Sequence, residues 1–167
     1  YLIGDFSVGI CGNIEKLDKN AIRANGFKIY PPRKSITLSN IEQQGYAFFA
    51  GQIRVEKKFD IADTNKKISF NKKGINIVKI SVNGESAGTV AWNPTELDLS
   101  EFLKEGENII SLTIVNNLRN MMGPHHRTEG ECYLVTPETF FEENCIWKND
   151  DKDTFTRDYC FAEVGLV

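Results

Sequence analysis

The sequence predicts an all-β chain folded as an antiparallel β-sandwich. Three observations carry this expectation: two-residue alternation of apolar and polar side chains, an Asn-Gly turn following one such run, and no sustained helical period. In Gln52–Ile61, the positions Ile53, Val55, Phe59 and Ile61 are apolar while Gln52, Arg54, Glu56, Lys58 and Asp60 are polar. Only Lys57 breaks the pattern, so the segment reads as a half-buried strand with one wet face.

The other elements follow in chain order. Residues 1–50 are less regular and read as a wrapping arm with weak strands at 27–30 and 35–38. Val78, Ile80 and Val82 repeat the alternation, and Asn83-Gly84 follows at once. Both central residues of a type I′ turn need positive φ, so a hairpin is predicted, with residues 85–92 returning antiparallel. Residues 98–103 read as one helical turn stopped by Gly106 in a left-handed cap. Ile110, Leu112 and Ile114 alternate again, and Ile109 and Val115 imply a partly covered second face. Residues 116–158 read as long loops with a short strand near 133–135. The final strand carries Cys160, Ala162, Val164 and Leu166 on one side, Tyr159 and Phe161 on the other.

Bulk properties narrow the function. The 167 residues, 41% hydrophobic and 11% aromatic, suit one globular domain over 1–167, with 1–29 as an N-terminal arm. The 20 basic and 23 acidic residues are interspersed and leave a net charge of −3, so no nucleic acid is expected as partner. No apolar run approaches the roughly 20 residues that span a bilayer, and no membrane partner is expected. The chain opens without Met or a basic leader, which reads as a piece of a longer protein whose compartment is left open. Cys11, Cys132, Cys145 and Cys160 form no C-x-x-C pair; reduced, buried thiols are expected, with a Cys145–Cys160 bridge as the alternative.

Residues 78–116 combine V-K-I-S-V-N-G, a return containing Gly88, A-W-N-P, D-L-S, G-E-N and a strand ending in V-N. This order resembles the sugar-binding jelly-roll domains of glycoside hydrolase family 2 and related multidomain glycosidases. In that arrangement Gly88 bends the return strand, while Leu97, Leu99, Phe102 and Leu103 plug the sandwich end. L-R-N-M-M-G-P-H-H at 118–126, G-Y-A-F-F-A-G at 45–51 and Y-C-F-A-E-V-G-L at 159–166 are similar to a narrower group. That group is the C-terminal galactose-binding-like domain of large bacterial glycosidases, α-L-rhamnosidase-like enzymes among them. The resemblance implies a non-catalytic accessory domain whose partners are carbohydrate and the catalytic domain of the same parent chain.

His125 and His126, the two histidines of the chain, stand in a Gly/Pro-marked loop with Arg119, Asn117 and Glu131 nearby in sequence. Imidazole and guanidinium groups hydrogen-bond sugar hydroxyls, and carboxylates accept from them. Structural tying or docking is the first reading of this loop, sugar contact by His125, His126, Arg119, Asn117 and Glu131 the second. A metal held by His125, His126 and Cys132 is the third and is not expected, because the familiar ligand spacing is missing. Trp147, in a polar loop, is a candidate sugar-stacking platform, whereas Trp92 is expected to pack. No cofactor is expected. A structural Ca²⁺ at the acidic run 150–153 competes with a plain solvated loop, since lysines flank it and no ligand-loop Gly is present. No paired carboxylates, G-x-S-x-G elbow or triad spacing point to catalysis within this chain. Two rival readings remain: a purely structural module without a ligand, and a domain whose His125 and His126 loop completes the parent's active site.

Overall fold

A computed structural model describes residues 4–131 and 155–167. The fold is all-β and antiparallel, as the alternation predicts. In chain order the first strands are β1 (Ser7–Ile10), β2 (Ile14–Leu17), β3 (Ala21–Ala24), β4 (Phe27–Tyr30), β5 (Gln52–Ile61), β6 (Lys67–Ser69) and β7 (Lys72–Lys73). There follow β8 (Ile75–Val82), β9 (Glu85–Val90), β10 (Glu96–Asp98), β11 (Gly106–Asn116), β12 (Tyr159–Ala162) and β13 (Gly165–Leu166). One helical turn, α1 (Arg119–Met122), and a 3-10 turn at Ile41–Gln44 complete the described elements.

The chain divides into two compact units, neither continuous in sequence. The first comprises Tyr1–Arg33, Glu42–Phe48 and Arg119–Glu163; the second comprises Lys34–Ile41, Phe49–Leu118 and Val164–Val167.

In the second unit a four-stranded sheet runs in the order β5-β11-β8-β9. Residues 53, 55, 57 and 59 share one face with Ile110, Leu112 and Ile114, and those in turn with Val78, Ile80 and Val82, as the registers require. On this face Val78 and Val82 are fully buried, and Ile80, Ile114 and Leu112 nearly so. The pairs β10–β6 and β13–β7 stand apart from this sheet in the pairing order. Asn83 (φ 53°) and Gly84 (φ 88°) both adopt the left-handed conformation that the hairpin demands. Gly88 sits at φ 154°, and a Cβ there would approach the Leu97 methyls to 3.0 Å, which is why the bend excludes a side chain. Leu99 and Leu103 are buried, and the amide of Leu103 donates to the Leu99 carbonyl at 3.1 Å, closing the single turn expected there.

The first unit holds the three-stranded sheet β12-β3-β2 and the pair β1–β4. Its core is Ile22, Ala24, Ala47 and Phe161, packed against Ile10, Phe27, Phe48 and Tyr159. Residues 7–24, read from sequence as arm, thus form three strands. The β2–β3 hairpin turns through Lys19 (φ 60°) and Asn20 (φ 55°).

Four further departures from the sequence reading are found. Residues 35–38 form no strand. The final strand is interrupted at Glu163 and Val164: its first half pairs with β3, its second with β7. Trp92 does not pack but is 81% exposed, on the irregular segment after β9. Cys11 is exposed rather than buried, whereas Cys160 is a free, fully buried thiol. The residues 133–135, Cys132, Cys145, Trp147 and the run 150–153 lie outside the described residues.

Candidate functional site

The His125 and His126 loop belongs to the first unit, where segment 119–131 is laced to β12 and the residues before it. Asn120 is the main clasp. Its side chain is 2% exposed, donates from Nδ2 to the Ala162 carbonyl at 2.8 Å and accepts the Ala162 amide on Oδ1 at 2.8 Å. Both backbone groups of one strand residue are satisfied by one amide side chain, a use that needs Asn at this position. Further bonds extend the seam. The Cys160 amide donates to the His125 carbonyl at 2.5 Å, the Thr156 amide to the His126 carbonyl at 2.8 Å, and the Cys160 thiol to the Arg127 carbonyl at 2.9 Å.

Arg119 and Glu131 are brought together. The Arg119 Nε lies 2.5 Å from Glu131 Oε2, with the two side chains only 12% and 23% exposed. The rest of the guanidinium fork donates to the Cys160 and Gly130 carbonyls, each at 3.4 Å. Arg23, from β3, reaches the same loop and donates to the Thr128 carbonyl at 2.5 Å while pairing with Glu15 at 2.9 Å. Burial pushes the Cys160 thiol above its ordinary range, against the opposing pull of Arg23, so the thiol is held neutral.

The two histidines part company. His125 is half-buried: its Nε2 lies 2.9 Å from the Asn120 carbonyl, and its ring meets Phe48 edge-on with centroids 5.6 Å apart. It also lies 5.5 Å from Tyr159 and 5.8 Å from Phe161, centroid to centroid, so it is one member of an aromatic cluster. His126 is exposed, with Nδ1 2.9 Å from the Asp158 carbonyl and its ring centroid 4.6 Å from that of Tyr159. A carbonyl only accepts, so His125 carries its proton on Nε2 and His126 on Nδ1. In the neutral ring the Nε2 of His126 is then an acceptor.

Asn117 belongs to the second unit, and Trp147 lies outside the described residues. Its neighbour Asn116 is a second clasp, accepting the Gly51 amide at 2.8 Å and donating to the Phe49 carbonyl at 2.7 Å. Among the described residues no group of three or more His, Cys, Asp or Glu lies close enough together to hold a metal ion.

Family models and curated sequences give no match. Among solved structures the chain is similar to a rhamnosidase from Novosphingobium sp. PP1Y, at 12% identity and a TM-score of 0.42, over 93% of this chain and 14% of that one. It is also similar to a β-D-glucuronidase of Dictyoglomus thermophilum, at 15% identity and a TM-score of 0.33, over 99% of this chain and 29% of that one.

Sequence reasoning missed three residues that matter here. Asn120 and Tyr159 stand inside motifs whose pattern speaks for the fold alone, and a lone Asn gives no sign that it will clasp a strand 42 positions away. The exposure of Trp92 had a signal: Asn93-Pro94 follows it, and residues around X-Pro tend to leave regular structure.

Proposed function

We propose that this chain is a non-catalytic accessory β-sandwich of a bacterial glycoside hydrolase, and that its 119–131 loop supports an interface with the parent's catalytic domain. One observation carries the reading. Asn120 and Arg119 bond the carbonyls of β12 and His125 bonds the loop's own Asn120 carbonyl, while Met121 and Met122 are 46% and 71% exposed. A laced loop that turns thioethers outward suits a docking surface, because Met fills irregular apolar contacts. The order of motifs from 78 to 116 supports the glycosidase parentage: the Asn83-Gly84 turn, the Gly88 bend and the 98–103 turn fall where the resemblance expects them, while Trp92 of A-W-N-P is exposed.

The test uses the full-length parent and the isolated chain side by side. Replacing Met121 and Met122 by Ser should lower the thermal stability of the parent and leave that of the isolated chain unchanged. Equal stability of both parents would end the proposal.

Carbohydrate contact is the second reading, favoured by the 81% exposed indole of Trp92. Sugar rings stack their C–H faces on such a surface. Titration with galactose, rhamnose and plant polysaccharides, followed by indole fluorescence, should then show a saturable change that Trp92→Ala abolishes. No change with any glycan would leave interdomain support alone.

A further inference from the structure

Among the described residues the second unit is incompletely covered along β5. On its inward face β8 is sealed, Val78 and Val82 showing no exposure, and Leu112 of β11 is only 6% exposed. One strand further out, Phe59 on the same face is 38% exposed. Beside it lies a half-open cavity of about 430 Å³, lined by Val55, Phe59 and Leu112 on the sheet side and by Ile68 and Phe70 from β6 and the residue after it. Close-packed interiors leave few voids larger than a water molecule, whereas small-molecule sites run from roughly 300 to 1,000 Å³.

Two charged side chains border this trough. Lys57, the residue that interrupts the alternation of β5, lines it with its ammonium 5.1 Å from the centroid of the Phe59 ring. Glu56 also borders the trough, but its carboxylate is committed to Ser111 at 2.8 Å and Arg54 at 2.6 Å. Ser111 and Arg54 occupy the opposite face of the sheet, by the alternation of β5 and β11. Lys57 has no carboxylate partner among the described residues. An apolar residue at 57 would complete the alternation of β5, and the lysine there sets a cation beside a trough lined by Val55, Phe59, Ile68 and Leu112.

We infer that this trough binds an anionic amphiphile, an alkyl carboxylate whose tail lies between Val55, Phe59, Ile68 and Leu112 and whose head group pairs with Lys57. The tail supplies most of the affinity by removing apolar surface from water. The head group selects the sign of charge, with the modest worth of an exposed ion pair. This site lies wholly within the second unit and does not depend on the role proposed for the 119–131 loop.

The test is a titration of the methyl-labelled chain with sodium decanoate, decanol and decyltrimethylammonium, each kept below its micelle threshold and followed by NMR. Decanoate should give saturable shifts at Val55, Ile68, Ile110 and Leu112, binding about fivefold more tightly than decanol. Lys57→Met should bring decanoate to the level of decanol, and Lys57→Glu should favour the ammonium amphiphile. Lys57 is exposed, so both variants are expected to fold. Equal affinity for all three amphiphiles, or no saturable shift at these methyls, would overturn the site. So would shifts of the same methyls that track protein concentration without ligand, which would mark β5 as a contact between two copies.

Discussion

Two buried asparagines carry much of the polar organisation at the scale of single residues. Asn108, fully buried, accepts from Asn83 Nδ2 at 2.9 Å and the Lys104 amide at 3.0 Å, and donates to the Lys104 and Gly106 carbonyls at 2.7 and 2.9 Å. Asn120 does the same for Ala162 in the other unit. Truncation strands buried backbone groups without water, so Asn120→Ala should cost on the order of 3 kcal/mol. Urea denaturation would read the loss as a lower midpoint at unchanged slope. The thiols offer a chemical check. Cys11 is exposed and should react with iodoacetamide in the native chain, while buried Cys160, its thiol held neutral, should react only after unfolding. Peptide mapping that finds Cys160 alkylated under native conditions would contradict its packing.

At the scale of elements, the β8–β9 hairpin and the 98–103 turn are governed by local chemistry. A Cβ on Gly84 would meet open space, so the cost of Gly84→Ala comes from the backbone alone, about 1–2 kcal/mol for a left-handed residue. Thermal unfolding would show it as a lowered midpoint. Asp98 accepts from the Ser100 hydroxyl at 2.6 Å and the Ser100 amide at 2.9 Å, which together hold its carboxyl below the ordinary aspartate range. A depressed folded value means that the stabilisation is present above the unfolded value, near 3.9, and is lost as pH falls through the folded one. The gap in melting temperature between the native chain and Asp98→Asn should therefore be constant at neutral pH and shrink below about pH 4. A gap that widened on acidification would refute the assignment. These elements were legible in the sequence because their causes lie within a few residues. The β2–β3 hairpin was not: β3 reads Ala-Ile-Arg-Ala, and a central strand needs no alternation once both faces are covered.

On the scale of the whole molecule, the chain passes repeatedly between two units, and each unit is closed by a late segment: β12 pairs with β3, and β13 with β7. A fragment ending at residue 118 should therefore fail to fold, losing the dispersion of its amide NMR spectrum, although it retains the complete β5-β11-β8-β9 sheet. A well-dispersed spectrum would show that sheet to be self-sufficient. The sequence by itself determined the all-β class, the Asn83-Gly84 turn and the faces of β5, β8 and β11. These follow from side-chain period and backbone sterics, which act between near neighbours. Tertiary structure alone decided that Asn120 clasps Ala162, that His125 turns into an aromatic cluster while His126 faces solvent, and that among the described residues Lys57 borders an open trough. Such outcomes depend on which distant segments fill the space beside a residue, and no local pattern encodes that.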